Sequence, residues 1–306
     1  MQRKPKQKRI TDFFNDINEG EIAPIMIHET ETVYFAQNNH QKRIASTELI
    51  TNLIETKKHH VILGQEPSTF GFNVTGVNNK NTIIQGAADK PRSYICVSKS
   101  LNAWAIEHLC SRDVTTCLIN TKSKSSKKIL ACSIYWDGRI DEFPKEAEAA
   151  MKMAREENYV LVLGGDANAQ NTLFGGKVTN KRGKKIEDLM VDYDLAVANK
   201  GNQVTCTAGN PGSIIDITLI NGECEHMVKN WKVSNEESLS DHKLITFEIE
   251  CEKPKKELRR KMNDYQKEDF TRSTRGLAFK LLDDFPERCQ TSVDMAENLA
   301  NRIVRV

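Results

Sequence analysis

The chain of 306 residues lacks the features that mark membrane-spanning and secreted proteins. No stretch approaches the roughly 18 unbroken apolar residues that a membrane helix needs. The basic N-terminal stretch MQRKPKQKRI is not followed by an apolar run, so we expect no secretory signal. The eight cysteines form no Cys-x-x-Cys pair, and no histidine stands at zinc-ligand spacing. Because several cysteines lie inside apolar runs, we predict buried free thiols and a reducing compartment.

A strong charge of one sign is also missing, since the net charge at pH 7 is +2. The basic residues are nevertheless clustered, at 1–9, 122–128, 177–185 and 253–261. Two interpretations of each cluster stay open. It is either a solvated loop or tail, or a local contact with the phosphate backbone of a nucleic acid.

Hydrophobic residues make up 39% of the chain and charged residues 28%, which is typical of a globular protein with a core. Apolar runs typical of strands alternate with segments of helical spacing, but several strands also follow one another directly. This order favours two sheets over one doubly wound sheet. We therefore predict an α/β fold, a four-layer α/β sandwich of two packed mixed β-sheets flanked by helices. Helices are predicted at 46–56, 143–158 and 184–199, and strands at 32–38, 60–66, 93–98, 115–121, 128–136, 159–168, 214–220, 230–234 and 243–250.

Composition divides the chain into three predicted regions. Residues 1–22 form a flexible basic tail, and residues 23–252 form the α/β domain. Residues 253–306 begin with a highly charged linker and continue into a partial helical region. This last region has too few apolar residues for an independent domain.

Polar side chains stand at or near the ends of several predicted strands, which is where α/β sheets build their sites. Glu66 follows the run VILGQ, and Asp166 follows VLVLGG. The whole set consists of Asn38, Glu66, Tyr135, Asp166, Asn168, Asp216, Asp241 and His242.

The set suits metal-assisted hydrolysis of a phosphodiester. Mg²⁺ prefers hard oxygen ligands, which Glu66, Asp241 and Asn38 would supply. We expect Mn²⁺ to substitute for it.

The remaining polar residues suit proton transfer and charge stabilisation. Asp166 would orient and deprotonate a water, with Asn168 holding the phosphate or the water. His242 would stabilise charge on the phosphorane if Asp216 fixed its tautomer. Tyr135 would donate a hydrogen bond to a phosphate oxygen or to the leaving group.

The ordered set of these residues along the chain is more specific than any member alone. It resembles the exonuclease–endonuclease–phosphatase superfamily, which includes abasic-site endonucleases, DNase-I-like nucleases and inositol phosphatases. Within that superfamily, LGGDANAQNTLFGG, NKRGKKIEDLM, GSIIDITLI, NWKVS, SLSDHK and SIYWDGR are similar to the endonuclease domain of non-LTR (LINE-type) retrotransposons. The resemblance covers roughly residues 32–250.

The resemblance implies a Mg²⁺-dependent DNA endonuclease that nicks duplex DNA and leaves a 3′-hydroxyl for reverse transcription. It implies the same division of roles as the chemistry above. It also implies a reverse transcriptase domain as a partner, toward which residues 253–306 would lead, and a nuclear site of action reached from the cytoplasm.

Two loops of such endonucleases help to recognise the target. Here one is the turn Gly209–Gly212, where Asn210 would enter a minor groove and read its width. An ordinary connecting turn is the alternative. In the other loop, 175–185, we favour phosphate contact by Lys177, Lys181, Arg182, Lys184 and Lys185.

One departure concerns abasic-site repair enzymes, which carry an acidic residue two positions after the first Asn. With Asn38 as that Asn, the position is His40. This weakens a repair function but leaves it as an alternative.

The N-terminal tail carries a motif similar to the peptide that docks on the eukaryotic sliding clamp (PCNA). A short helical turn would place Ile10, Phe13 and Phe14 on one face, while Gln7 bonds to a side pocket. The alternatives are that both phenylalanines pack on the domain, or that the tail was joined artificially. A catalytically silent clamp-binding module and a small-molecule or lipid phosphatase complete the alternatives for function.

Overall fold

A computed structural model describes residues 31–56, 59–78, 80–121 and 127–251. By its contacts the chain divides into two units, Met1–Pro254 and Lys255–Val306, and every described residue belongs to the first. The predicted boundaries at residues 22 and 252 fall outside the described residues, so that division of the chain stays a prediction.

Two six-stranded sheets make up most of the described chain. The first sheet has the order β13-β14-β1-β2-β6-β5, with strands β1 (Glu31–Asn39), β2 (Val61–Gln65), β5 (Asn81–Gln85), β6 (Ser93–Ser98), β13 (Val228–Val233) and β14 (Ile245–Cys251). The second has the order β11-β12-β10-β9-β8-β7, with strands β7 (Asn102–Ala105), β8 (Val114–Asn120), β9 (Ile129–Tyr135), β10 (Val160–Asp166), β11 (Leu195–Val197) and β12 (Asp216–Asn221). A separate hairpin pairs β3 (Thr69–Phe70) with β4 (Asn73–Val74).

Both sheets are mixed, and each contains one parallel pair. In the first sheet β1 runs parallel to β2, and in the second β9 runs parallel to β10. Parallel neighbours need a crossover connection, because a tight turn reverses the chain. The helices α1 (Ile44–Thr51) and α2 (Leu53–Thr56) supply the first crossover, and α3 (Lys145–Glu156) supplies the second.

Apolar residues fill three interfaces between four layers. Between the sheets, Phe35 and Val61 share a buried cluster with Ile119 and Ala131. Outside the first sheet, α1 and α2 cover their own cluster. Outside the second sheet lie α3 and a further helix, α4 (Lys181–Tyr193). The inward stripe of α3 recurs every three or four residues, at Ala147, Ala150, Met151 and Ala154. The predicted four-layer α/β sandwich is therefore confirmed.

The helix predicted at 184–199 is wrong at its C-terminal end. α4 stops at Tyr193 because Asp194 adopts a left-handed conformation with φ of 52°, which ends a helix. Leu195–Val197 then forms the edge strand β11 instead of a last helical turn. The short strands β3, β4, β5 and β7 were not predicted either.

Seven cysteines lie within the described residues, and all of them are free thiols. Six are buried, and Cys110 is partly buried. The predicted buried free thiols are therefore confirmed for six of these seven, and Cys289 lies outside the described residues.

Candidate active site

The candidate site lies at one end of the sandwich, where strands of both sheets stop or start. Asp166 ends β10, and it pairs in register with Tyr135 at the end of β9 and with Asp216 at the start of β12. Gly165 allows this approach, because a Cβ there would lie 1.9 Å from the carbonyl oxygen of Ile134. Sheet pairing alone thus places three predicted site residues side by side.

Asp166, Asp216 and His242 form a buried cluster. Nδ1 of His242 lies 3.0 Å from each carboxylate oxygen of Asp216. Nε2 of the same ring lies 3.9 Å from Oδ2 of Asp166. The predicted pairing of Asp216 with His242 is present, and the free side of the ring faces Asp166.

The charges in this cluster depend on one another. Burial acts to lower the pKa of His242, but the Asp216 carboxylate outweighs it and raises that pKa well above its ordinary value. The imidazole is therefore a cation at neutral pH. Burial, followed by the like charge of Asp216, raises the pKa of Asp166 to about 7, against the opposing charge of His242. A carboxylate with a pKa near neutrality is suited to take up and release a proton.

The carboxamide at this site belongs to Asn39, so the prediction of Asn38 is corrected. Nδ2 of Asn39 donates to Oδ2 of Asp166 at 3.0 Å and lies 3.5 Å from Oε2 of Glu66. Asn38 instead donates to the backbone carbonyl of His242 at 2.9 Å and lies 3.4 Å from the hydroxyl of Ser46. Successive side chains of a strand point to opposite faces, so only one of the two can reach Asp166.

The position that corresponds to the acidic residue of the repair enzymes shifts by one residue as well. The position two residues after the site asparagine is Gln41, not His40. Gln41 donates through Nε2 to Oδ2 of Asp241 at 3.0 Å. Its Oε1 accepts from the backbone N–H of Asp241 at 2.9 Å. His40 is fully buried between Ser46 and the Tyr94 hydroxyl, and burial lowers its pKa to about 3. The residue that replaces the repair enzymes' acid is therefore a neutral amide.

Glu66 and Asp241 lie at the open rim of the site. The Glu66 side chain is 16% exposed and that of Asp241 is 43% exposed, which leaves both accessible to a solvent ion. Glu66 has a φ of 43°, a left-handed conformation that is uncommon outside glycine. Lys42 lies 3.5 Å from Glu66, and Arg43 lies 3.5 Å from Asp241. Each of the two carboxylates therefore has a cation beside it.

Tyr135 lies over a buried ion-pair network that the sequence analysis did not identify. The guanidinium of Arg92 lies 4.8 Å from the centroid of the Tyr135 ring. Arg92 also pairs with Asp113 and Asp137, at 2.5 Å each. Burial, followed by the nearby charge of Glu66, raises the pKa of Tyr135. The phenol therefore keeps its proton and can donate a hydrogen bond.

Asn168 is held beside Asp166 by backbone and side-chain bonds. Its backbone N–H donates to Oδ1 of Asp166 at 2.9 Å, and its Nδ2 donates to the carbonyl of Trp136 at 3.1 Å. Asp166 thus receives one hydrogen bond on each oxygen, from Asn168 and from Asn39. Both bonds fix the direction of the carboxylate.

The comparisons with known proteins agree with this geometry. Residues 129–246 match the model of a family described as Endonuclease-reverse transcriptase. The matched segment runs from β9 to β14 and contains Tyr135, Asp166, Asp216 and His242. The resemblance predicted from the sequence is confirmed, as is the predicted enzyme class of metal-dependent phosphodiesterase.

Several solved structures share the fold of this domain. The endonuclease domain of TRAS1, a telomere-specific non-LTR retrotransposon, matches with a TM-score of 0.58 and 22% identity, over 71% of this chain and 98% of that one. The AP endonuclease LMAP from Leishmania major matches with a TM-score of 0.57 and 12% identity, over 72% of this chain and 88% of that one. The APE2 catalytic domain from Xenopus laevis matches with a TM-score of 0.51 and 13% identity, over 72% of this chain and 92% of that one. No curated protein sequence matches the chain significantly.

Among the described residues, two groups have the chemistry of a metal site. Ligand atoms of Asp166, Asp216 and His242 lie within 4.8 Å of one another. A protonated His242 that already bonds to Asp216 has no lone pair for a metal, so this cluster suits proton transfer better. Glu66 and Asp241 offer carboxylate oxygens at the rim, which fit a hard cation such as Mg²⁺.

Arg182 is not free to contact DNA, so that prediction is corrected. Its guanidinium lies 3.6 Å from the Trp136 ring centroid and donates to four backbone carbonyls. Two of these carbonyls, at Trp136 and Ala167, adjoin the site. Arg182 thus joins the segments that follow Tyr135 and Asp166.

The other predicted DNA contacts differ in whether their side chains form ion pairs within the protein. Lys181 pairs with Asp141 at 2.7 Å, and Lys184 pairs with Glu187 at 2.6 Å. Lys177, Lys185 and Asn210 are exposed. These three remain predicted contacts, while the two paired lysines would have to exchange their partners.

The predicted clamp-binding residues Gln7, Ile10, Phe13 and Phe14 lie outside the described residues. Within the described part of the chain, no helix is both long and apolar enough to cross a membrane.

Proposed function

We propose that the domain is a Mg²⁺-dependent endonuclease that nicks duplex DNA and leaves a 3′-hydroxyl to prime reverse transcription of a non-LTR retrotransposon. The observation that carries this proposal is the arrangement of Asp166 between Asn39 and the charged His242, beside Tyr135. The fold shared with the TRAS1 endonuclease domain supports it. So does the match to the endonuclease–reverse transcriptase family.

Glu66 and Asp241 would hold Mg²⁺, with Mn²⁺ as a substitute. When bound, the ion supplies Lewis-acid stabilisation of the charge that develops on the phosphoryl oxygens. Asn39 orients Asp166 rather than replacing a carboxylate ligand, because its amide N–H groups face Glu66 and Asp166.

Asp166 acts on the attacking water. Its carboxylate, fixed by Asn39 and Asn168, accepts the proton of the water as the oxygen attacks phosphorus. The bond between phosphorus and O3′ breaks, O3′ takes up a proton from solvent water, and the products are a 5′-phosphate and a 3′-hydroxyl. The free carboxamide oxygen of Asn168 is available to orient the water.

His242 and Tyr135 stabilise the charge on the transferring group. The His242 cation faces Asp166 with Nε2, where negative charge builds up during attack. Tyr135 donates from its phenol, and Arg92 beneath the ring fixes its position. Asp216 keeps the imidazole charged and oriented.

Abasic-site repair is the alternative activity, and LMAP and APE2 share the fold. Gln41 argues against it, because a neutral amide stands where repair enzymes carry an acid. The proposed reverse transcriptase partner, the sliding clamp and the nuclear location remain proposals that rest on the sequence.

The test is incubation of the purified chain with supercoiled plasmid, in Mg²⁺ and in EDTA. Nicked circles should form only with Mg²⁺, and primer extension from the nick should report the 3′-hydroxyl. Asp166→Asn should lower the nicking rate by about 100-fold or more, because it removes the general base. Asp192→Asn, an exposed acid on α4, is the charge-matched control and should nick normally.

Two outcomes would contradict the proposal. Cleavage confined to abasic oligonucleotides would support the repair alternative. No cleavage of either substrate would leave a silent module, of which clamp binding is the sequence-based candidate.

A further inference from the structure

We propose that the β3–β4 hairpin, Thr69–Val74, is a DNA-contacting element that places Phe70 and Phe72 against bases close to the scissile phosphate. This inference rests on the proposed function, since it needs duplex DNA as the substrate. It concerns a segment that neither the sequence motifs nor the site geometry above include.

The two phenylalanines are exposed to an unusual degree. Phe70 is 82% exposed and Phe72 is 61% exposed, and only Gly71 separates them. A single exposed apolar side chain is ordinary, but two large rings on one hairpin indicate a surface that contacts something.

The backbone of the hairpin is fixed. Gly71 adopts a left-handed φ of 56°, and its carbonyl accepts from the N–H of Lys90 at 3.0 Å. Gln85 donates to the carbonyl of Phe72 and accepts from the N–H of Val74 at 3.2 Å. The rings therefore project from a held turn, which reduces the ordering cost when they meet a partner.

Hydrogen bonds connect the hairpin to the catalytic edge. The N–H of Glu66 donates to the carbonyl of Arg92 at 2.8 Å. The N–H of Arg92 donates to the carbonyl of Arg112 at 2.7 Å. Arg112 in turn donates from Nε to the carbonyl of Lys90 at 3.3 Å, and Lys90 bonds to Gly71. The candidate metal ligand and the aromatic turn thus lie on segments that hydrogen bonds connect.

The distance suits a duplex bound at the site. Phe70 stands four positions after Glu66, and four residues of extended chain span at most about 14 Å. With about 3.4 Å per base pair, the backbone of Phe70 lies within about four base pairs of a phosphate at Glu66, and Phe72 follows two residues later.

The surroundings of the hairpin fit a nucleic acid. Lys90 and Arg112 are exposed beside the turn, where they can meet phosphates, and Asp89 is an exposed acid among them. Phenylalanine inserted from a minor-groove element is a known way to unstack and kink a duplex. A ring pair flanked by cations matches this mode.

The test compares duplex binding and nicking by a Phe70→Ala, Phe72→Ala double variant. Its Kd for a short duplex should rise about ten-fold or more, because aromatic–base contacts are lost. Its melting temperature should not change, since the rings are exposed. Val191→Ala is the control, because Val191 is also 82% exposed but lies on α4.

A Phe70→Trp, Phe72→Trp variant supplies a direct readout. It should retain affinity, and its added indole fluorescence should be quenched when duplex binds. The alanine variant, the tryptophan variant and the control are all measured on the full chain.

The outcomes separate the two proposals. If the wild-type chain neither binds nor nicks DNA, the proposed function is wrong and this inference is wrong with it. If the wild type nicks and the alanine variant binds and nicks equally well, only the hairpin inference is wrong. A fall in melting temperature of the alanine variant would show that the rings stabilise the fold, which also contradicts the inference.

Discussion

The charge on His242 depends on Asp216, whose carboxylate oxygens both lie 3.0 Å from Nδ1. Asp216→Asn keeps the shape but removes the charge that raises the pKa of His242, so burial should then lower that pKa. In the wild type the raised pKa keeps His242 charged across neutral pH. In the variant it should be charged only at lower pH. A histidine NMR titration should report the fall in pKa.

The activity of the variant should follow the same titration. We expect Asp216→Asn to nick about ten-fold or more slowly than the wild type at pH 8, and the ratio of the two rates to approach one as pH falls. Taking the ratio at each pH removes effects common to both proteins, such as substrate titration. A ratio that is constant with pH would indicate that Asp216 acts through shape alone.

At the scale of residues, a sequence pattern predicts which polar types assemble but not always which copy takes part. Asn38 and Asn39 are adjacent and chemically identical, so the motif alone left a choice of two. The strand period decides it, because Phe35 faces the interior between the sheets and Asn39 follows at an even interval on the same face. No sequence pattern indicates that Arg92 lies at the site, because its partners Asp113 and Asp137 come from two other segments.

At the scale of elements, the start of α4 fixes the loop that follows Asp166. Gly183 lies in the first turn, where a Cβ would stand 2.0 Å from the carbonyl oxygen of Gln170. The side chain of Asn180 caps the helix by accepting from the N–H of Gly183 at 2.8 Å. Helix propensity favours alanine over glycine by about 1 kcal/mol, but the overlap with backbone should reverse the sign.

We expect Gly183→Ala to lower the free energy of unfolding by about 1–3 kcal/mol. Because the overlap pushes on the chain near Asn168, the nicking rate should also fall. Chemical denaturation and plasmid nicking are the measurements. Val191→Ala on the exposed face of α4 should change stability by less than about 0.5 kcal/mol. A Gly183→Ala protein as stable as the wild type would contradict the argument.

Elements with a regular period were predictable, and edge elements were not. α3 was predicted because its alanines and Met151 recur at helical spacing. β11 was missed because Leu195–Val197 continues the apolar pattern of α4, and only the left-handed Asp194 separates the two. β5 and β7 are edge strands in which only Ile84 is buried, so neither contains the apolar run of a buried strand.

At the scale of the whole molecule, the layer order was predictable but the cross-links between sheets were not. Paired strands in the sequence indicate two sheets, whereas the register between the sheets depends on contacts between distant residues. Gln37 illustrates this, since it donates to the carbonyl of Ile217 at 3.1 Å and accepts from the hydroxyl of Thr218 at 3.2 Å. Gln37 lies two residues before Asn39, and Ile217 lies one residue after Asp216. These bonds therefore join the two sheets close to the candidate site.

Gln37→Met should therefore weaken the site as well as the fold. It removes a donor to the Ile217 carbonyl and the acceptor of the Thr218 hydroxyl, which should lower the free energy of unfolding by about 1–3 kcal/mol, and it frees Asp216 to shift. Thr51→Val is the matched control, because Thr51 is a buried polar residue that bonds to Thr47 and Gly76 in the helix layer. Both variants should lose stability in denaturant titrations. Only Gln37→Met should nick slowly at a temperature where both are folded, and equal nicking rates would show that the cross-link supports the sandwich but not the site.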